Sequence, residues 1–350
     1  MKFLNFGSLN IDHVYAVDHF VRAGETLSAH DLQMFCGGKG LNQSIALSRC
    51  GIEVYHGGAV GADGEMLLEL LRENGVHTEH VFVKDCPSGH AIIQNDRTGQ
   101  NCIMLYGGAN QALTRADVDQ VLESFVSGDV ILLQNEINQM SYIMERAHEK
   151  GMTIILNPSP ADEKLLTYPI QYVDYLILNE IEIRELCQGL SGGAYPGAAA
   201  VRSDAQEAVE PERMAQEVME LEGMAQEVME LEGMAQEESA LAARLLTLFP
   251  DMKIILTLGS RGSVYMDRQQ AIAQKAYAVK AVDTTAAGDT FTGYLFGCLF
   301  AQGAKNGPEQ LVLGAVLDMA AKAAAMAVTK KGAAPSIPWK KEVEAFEIIS

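Results

Sequence analysis

Short apolar runs alternate with stretches of helical period along most of the chain. Residues 2–7, 54–60, 130–134, 153–157, 175–178 and 253–258 are nearly continuous apolar runs, the pattern of strands buried on both faces. Between them, segments 41–50, 65–74, 139–150 and 181–187 place apolar residues three and four apart, as helices do. Gly51, Gly75 and Gly151 stand where the first three should stop. This alternation predicts βαβ units and a parallel sheet flanked by helices.

Two regions break the rhythm. Residues 13–17 and 26–35 alternate polar and apolar positions, and two β-rich runs within 89–106 flank the turn sequence Asp96-Arg97-Thr98-Gly99. Both are too polar for a central sheet and predict a small half-exposed sheet able to cover a site. Residues 189–213 are rich in Gly, Ala, Ser and Pro and read as a loop or disordered insert. The decapeptide MAQEVMELEG then occurs twice, at 214–223 and 224–233. Met214, Val218, Leu221, Ala225, Val228, Leu231 and Ala235 form an apolar stripe on a helix whose other face is glutamate. That charged face reads first as a solvated one, with a partner-binding helix as the alternative.

Composition narrows the class. The 350 residues are 48% hydrophobic and 21% charged, which excludes a largely disordered chain. A net charge of −20 argues against nucleic-acid and anionic-membrane partners. Residues 203–238 alone hold twelve acids against one base, so most of that charge says little about an active site. The six cysteines show no metal or redox spacing and read as reduced thiols of a cytoplasmic protein. Polar residues interrupt the first twelve positions, so no signal peptide is expected. The apolar stretch 311–328 contains Asp318 and Lys322 and is too short to span a bilayer.

Candidate chemistry concentrates in a few glycine-rich turns. Val282-Asp283-Thr284-Thr285-Ala286-Ala287-Gly288-Asp289-Thr290 precedes a helical segment at 291–301. Small residues there let a ligand approach backbone N–H groups at a helix N-terminus, where donors and dipole favour an anion. Asp289 is either a capping acid or a proton acceptor for an attacking hydroxyl beside that anion site. Cys36-Gly37-Gly38-Lys39-Gly40-Leu41-Asn42-Gln43 is a second glycine turn into a helix, with Lys39 and Asn42 as donors; it lacks P-loop spacing. Asn10 and Asp12 lie two apart at a strand end and can grip vicinal hydroxyls, or simply form a turn. Asn179-Glu180-Ile181-Glu182 opens a helix at a strand's carboxyl end: its acids either complement the dipole or stand near Mg²⁺ through water. Thr257-Leu258-Gly259-Ser260-Arg261-Gly262 suits nucleotide phosphate or ribose, or is a plain hairpin turn. His77 and His80 read as loop residues without ligand partners. No H-E-x-x-H or early G-x-G-x-x-G is present.

Taken in order, GSLNIDH, AGETL, GGKGLNQ, GGANQALT, LQNE, NPSPA, NEIE, LTLGSRG, VDTTAAGDTF and AVTKKGAAPSIPW make the chain resemble the PfkB (ribokinase-like) carbohydrate kinase family. The resemblance spans nearly the whole chain apart from the insert at about 189–238. It implies one doubly wound α/β domain over 1–350, with lid segments at about 12–36 and 89–106 that often form a homodimer contact. It implies an ATP-dependent sugar kinase, with D-ribose to D-ribose 5-phosphate foremost. The alternatives are deoxyribose, a nucleoside or another sugar on the same machinery, or a silent sugar-binding protein. The resemblance makes Asp289 the base and the Ala286, Ala287 and Gly288 amides the anion hole. Asn10, Asp12, Gly38, Lys39, Gly40, Asn42 and Glu136 become sugar contacts. Asn179, Thr257, Gly259, Ser260, Arg261, Gly262 and Gly288 fall to the nucleotide, and Glu182 to Mg²⁺ through water. Asp283, Thr285, Ala327, Lys330, Gly332 and Ser336 would hold K⁺. Ala321 departs from the polar Asn or His that related kinases often carry near the adenine.

Overall fold

The six apolar runs pair side by side because each can bury both faces between helices. The computed structural model describes residues 1–191, 219–221, 223, 236–301 and 310–346. Its strands are β1 (Phe3–Phe6), β2 (Asn10–Ala16), β3 (Asp31–Gly37), β4 (Val54–Val60), β5 (His77–Val83), β6 (Gly89–Asn95), β7 (Asn101–Tyr106), β8 (Val130–Gln134), β9 (Thr153–Asn157), β10 (Tyr175–Asn179), β11 (Lys253–Thr257), β12 (Ser263–Met266) and β13 (Ala271–Gln274). The helices used below are α1 (Lys39–Arg49), α2 (Glu65–Glu73), α3 (Arg115–Leu122), α4 (Met140–Glu149), α5 (Glu180–Ser191), α6 (Gln236–Leu248), α7 (Ala287–Ala301), α8 (Gln310–Ala327) and α9 (Lys340–Glu344).

The main sheet runs β13-β12-β11-β10-β9-β8-β1-β4-β5. From β5 to β11 every neighbouring pair is parallel, and β12 and β13 close one edge as an antiparallel hairpin. Successive residues of one strand feed two separate cores. Leu4, Ile131, Leu133 and Leu176 pack with Val118, Ile143, Ile183 and Leu245 of α3 to α6. Phe3, Val130, Leu132 and Tyr175 pack with Ile45, Leu71, Tyr294, Val316 and Val343 of α1, α2, α7, α8 and α9. Helices therefore cover both faces, as in doubly wound folds. From β1 the chain proceeds outward to β4 and β5 on one side and through β8 to β11 on the other. The β1/β8 boundary is thus the switch point, where a crevice opens at the strands' carboxyl ends.

A second, four-stranded sheet runs β3-β2-β6-β7. Its central pair β2/β6 is parallel and its outer pairs are antiparallel. Gly99, at φ 84°, and Asp96, whose Oδ1 accepts the amides of Thr98 and Gln100 at 2.8 and 3.0 Å, make the predicted β6–β7 turn.

Two features differ from the sequence reading. β5 belongs to the main sheet, so His77 and His80 are strand residues and not loop residues; His77 stacks on Tyr55 with ring centroids 4.5 Å apart. As an edge strand, β5 keeps an exposed polar alternation and so lacks the fully apolar signature. Helices α1 and α7 begin at Lys39 and Ala287, ahead of their first apolar-periodic residues. Of the duplicated segment's stripe, Leu221 is buried in the first core, and the other stripe positions lie outside the described residues. No helix among the described residues is long and apolar enough to cross a membrane.

Candidate active site

The polar residues that end the parallel strands converge on the switch-point crevice. Lys39, Asn157, Ser159, Asn179, Glu182, Thr257, Thr285, Gly288, Asp289 and Thr292 line a single cleft there, with Ile177 and Leu178 at its floor. The N-termini of α1, α5 and α7 all open at this edge, since each follows a strand's carboxyl end or packs beside one.

Asp289 sits in the first turn of α7 and is 6% exposed. Its Oδ2 accepts from Asn42 Nδ2 at 3.0 Å and its Oδ1 from Gln43 Nε2 at 2.9 Å. Burial raises its proton affinity above the ordinary carboxylate range, against the pull of the Lys39 ammonium and the two amide donors. For Lys39, burial alone would favour the neutral amine. The carboxylates of Asp289, Glu136 and Glu182 outweigh burial and keep the amine's pKa above its usual value. Ala287 N–H is taken up by Thr284 O at 3.2 Å. The Gly288 and Asp289 amides belong to a helical first turn, whose N–H groups lack intrahelical acceptors. A buried carboxylate beside such a turn, next to a fixed cation, suits proton removal from an alcohol while a phosphoryl group is held.

The second group of predicted residues lies where the small sheet meets β1. Glu136 accepts from Ser8 Oγ and from Lys39 N–H (3.2 Å), and burial pushes its carboxyl up. Asn10 Oδ1 accepts from Asn110 Nδ2 at 2.8 Å, and Asn110 is clamped in turn by both backbone groups of Leu9. Asp12 is half-buried, and burial together with the charge of Glu136 pushes its pKa up to about 7. A Cβ at Gly37 would run into the Asp12 carboxylate, and one at Gly38, at φ 96°, would stand 2.9 Å from Ser8 O. Gly40 likewise has no room for a side chain against Ser8. These glycines let the α1 turn approach the β1–β2 turn closely. Asn42 Oδ1 is buried with no hydrogen-bond partner among the described residues.

Asn179 and Glu182 form a reciprocal cap on α5. Asn179 Oδ1 accepts the Ile181 and Glu182 amides at 2.9 and 3.0 Å, and Glu182 Oε2 accepts the Asn179 amide at 2.9 Å. Capping and cleft-lining therefore coexist. Gly259, Ser260, Arg261 and Gly262 form the β11–β12 turn beyond the rim, with Arg261 paired to Glu180; of that segment, Thr257 lines the cleft. Asp283 gathers Thr285 N–H (3.0 Å) and Gly332 N–H (2.9 Å), and although partial burial opposes it, these bonds hold its pKa low. Ala327 O accepts the Lys330 amide at 3.1 Å at the end of α8, while Ser336 bonds Ala333 O at 2.8 Å one turn further on. Ala321 is buried on α8.

Four residues of this arrangement were not picked out by the sequence reading: Ser8, Gln43, Asn110 and Gln134. All four lie inside quoted motifs. Their roles come from contacts between positions 91 to 246 residues apart, which spacing does not display.

Fold and cleft together define a phosphotransferase-type α/β protein with its site at the switch point. The chain belongs to the pfkB family of carbohydrate kinases, whose model matches residues 2–212 and 214–340 and so runs through most of the insert as well. It is similar to ribokinase of Haemophilus influenzae, at 30% identity over 348 residues, 97% of this chain and 96% of the relative. Among solved structures it is similar to ribokinase of Cryptococcus neoformans in complex with ADP, at 29% identity and TM-score 0.75, covering 98% of this chain and 99% of that one. A ribokinase of Arabidopsis thaliana complexed with ribose and ATP matches at 27% identity and TM-score 0.73, covering 98% and 97%.

Proposed function

We infer that this protein is an ATP-dependent sugar kinase that phosphorylates D-ribose to D-ribose 5-phosphate. The observation that carries the reading is Asp289, buried at the head of α7 and held by Asn42 and Gln43 beside Lys39. Asp289 takes the proton of the sugar hydroxyl as its oxygen attacks the γ-phosphorus of ATP and ADP leaves. The first-turn amides of α7, within the Ala286–Gly288 segment, face the charge that develops on the transferring group. Asn10, Asp12, Gly38, Lys39, Gly40, Asn42 and Glu136 bind the sugar, and the unpartnered Asn42 Oδ1 is an acceptor ready for a hydroxyl. Asn179, Gly288 and the segment from Thr257 to Gly262 bind the nucleotide.

The oxygen donors fit the ions this chemistry uses. Glu182 lines the cleft and would hold Mg²⁺ through water. Asp283, Thr285, Ala327, Lys330, Gly332 and Ser336, several of them through backbone carbonyls, would offer oxygen ligands to K⁺; the bonds of Asp283 to the Thr285 and Gly332 amides support that reading. When bound, these cations neutralise charge on the phosphates and strengthen the anion site. The small sheet closes over the sugar and pairs with that of a second copy, since β3 and β7 expose Leu32, Met34, Phe35, Ile103, Met104, Leu105 and Tyr106. Free thiols at all six cysteines support a reducing, cytoplasmic setting.

The test is ADP release with MgATP and a panel of sugars and nucleosides, each in K⁺ and in Na⁺. Ribose-dependent turnover stimulated by K⁺ is expected; turnover with another compound moves the substrate, and silence from folded protein overturns the reading. Asp289→Asn should lower kcat by about 10²–10⁴-fold with both KM values little changed. Retained turnover in that variant would remove Asp289 as the base.

A further inference from the structure

A run of buried amide side chains leads away from Asp289 into the sheet, and beyond Gln43 the mechanism above does not use it. Gln43 Nε2 donates to Asp289 Oδ1 at 2.9 Å and to Asn157 Oδ1 at 3.0 Å. Gln43 Oε1 accepts from Gln134 Nε2 at 2.7 Å, and Gln134 Nε2 also donates to Asn5 Oδ1 at 2.8 Å. Asn5 Nδ2 donates to Gly40 O at 2.7 Å and to Ser44 Oγ at 2.8 Å. Asn5, Gln43, Ser44 and Gln134 are each 0% exposed.

The direction of this chain is determined at both ends. A carboxylate and a peptide carbonyl can only accept, so Gln43 must turn its NH₂ to Asp289 and Asn5 must turn its NH₂ to Gly40 O. Both carbonyls then point at Gln134, whose single NH₂ serves the two of them. The consequence is visible: Gln134 Oε1 is buried without a partner among the described residues. Were Gln134 reversed, its carbonyl would face two carbonyls, and Gln43 would have to present its own oxygen to Asp289. The cradle is built for the observed orientation, because the Gln134 carbonyl occupies the space a Cβ on Gly7 would need. A protein seldom leaves a buried amide oxygen unpaired, and here that oxygen is the sign of an imposed orientation.

We propose that Gln43, oriented by Gln134 and Asn5, is a positioning residue that holds the Asp289 carboxylate in its reactive orientation and sets its basicity. The inference rests on Asp289 as the proton acceptor. The charged groups facing Asp289 are Lys39 from α1 and Glu136 after β8, while Glu182 from α5 lines the same cleft and acts on Lys39; none of them replaces the Gln43 donor at Oδ1. The amide stabilises the ionised form; without it, burial drives proton affinity upward.

Three variants test this by kcat against pH, with KM for ribose and ATP and thermal unfolding measured in parallel. Gln43→Glu puts a second carboxyl at the same distance. It should move the acid limb of kcat upward by about one pH unit and cut kcat near neutrality by about tenfold, with KM for ribose within about threefold. Gln134→Met leaves both Gln43 and Asp289 in place and removes the orienting donor. It should lower kcat by about three- to tenfold, and it decides the matter alone if Gln43→Glu does not fold. Wild-type kcat and pH profile in folded Gln134→Met, or a loss confined to KM, overturns the inference. Asp289→Asn separates the two readings: an active Asp289→Asn sinks the base assignment, whereas a dead one beside a wild-type-like Gln134→Met sinks the relay alone.

Discussion

Two carboxylates at this site are buried to different ends, and their surroundings say which is which. Asp289 is pushed up by burial, and an amide donor on each oxygen and a lysine beside it oppose that push. Asp12 has the Glu136 charge as a neighbour, and burial with that charge lifts its pKa to about 7 from an ordinary 3.8. Between those two values the folded chain holds a proton that the unfolded chain has lost. Stability therefore falls as pH rises through that window, and the penalty is complete above about 7. Asp12→Asn should accordingly raise Tm at pH 8, on the order of a few degrees, and change it little near pH 4. The same variant should raise KM for ribose, because the ionised acceptor is gone. A Tm gain that persists undiminished at pH 4 would contradict this account of Asp12.

At the scale of elements, the site is carried by two parallel helices. Asn42 and Gln43 near the start of α1 meet Asp289 near the start of α7, and Cys50 and Cys298 meet at the far ends, their sulfurs 3.5 Å apart. Gly293 and Gly297 make this approach possible. A Cβ at Gly293 would collide with Ala46 and stand 2.9 Å from Leu47 N, and one at Gly297 would stand 2.8 Å from Cys50 Sγ. Backbone cannot swing aside, so the overpacking cost of roughly 1–3 kcal/mol should exceed the helix-propensity gain of about 0.5–1 kcal/mol. Gly293→Ala is therefore expected to lose stability in urea unfolding and to lose kcat as the helices part. Gly314 in α8 has nothing among the described residues within 4 Å of its would-be Cβ, so Gly314→Ala should stabilise the fold. Equal effects at the two glycines would refute the packing argument.

The same elements show what the sequence displays and what it withholds. The strands at 54–60, 130–134 and 153–157 were legible to the residue, because being buried on both faces makes a run apolar throughout. The edge strand β5 and the four-residue β12 and β13 carry no such run and went unread. The helix starts at Lys39 and Ala287 were hidden because functional turns replace periodic apolar residues with glycine, alanine and charge. Within the site, Lys39, Asn42 and Asp289 stood out as chemistry in glycine frames. Gln43 and Gln134 are legible only once folding brings positions 91 residues apart within 2.7 Å.

For the whole molecule, the four-stranded sheet poses the largest unsolved solvation problem. Among its seven large exposed apolar side chains, exposure runs from 41% at Phe35 to 61% at Met104. Register places Met34 beside His13 and Ile92 beside Met104, so one face carries the Leu32, Met34 and Met104 row while Phe35, Ile103 and Leu105 share the face of Asp12. A sheet apolar on both faces gains by covering each with something different. On the proposed reading the Asp12 face would close on the sugar, and the opposite face would meet its equivalent on a second copy, which would also brace the lid. Met34→Asp with Met104→Asp should then give a monomer in sedimentation while leaving the main sheet's unfolding unchanged. Because a lid without its brace closes less often, KM for ribose should rise several-fold with kcat less affected. A double variant that sediments like the parent chain, or a monomer with the parent KM, would show that the exposed rows serve neither pairing nor closure.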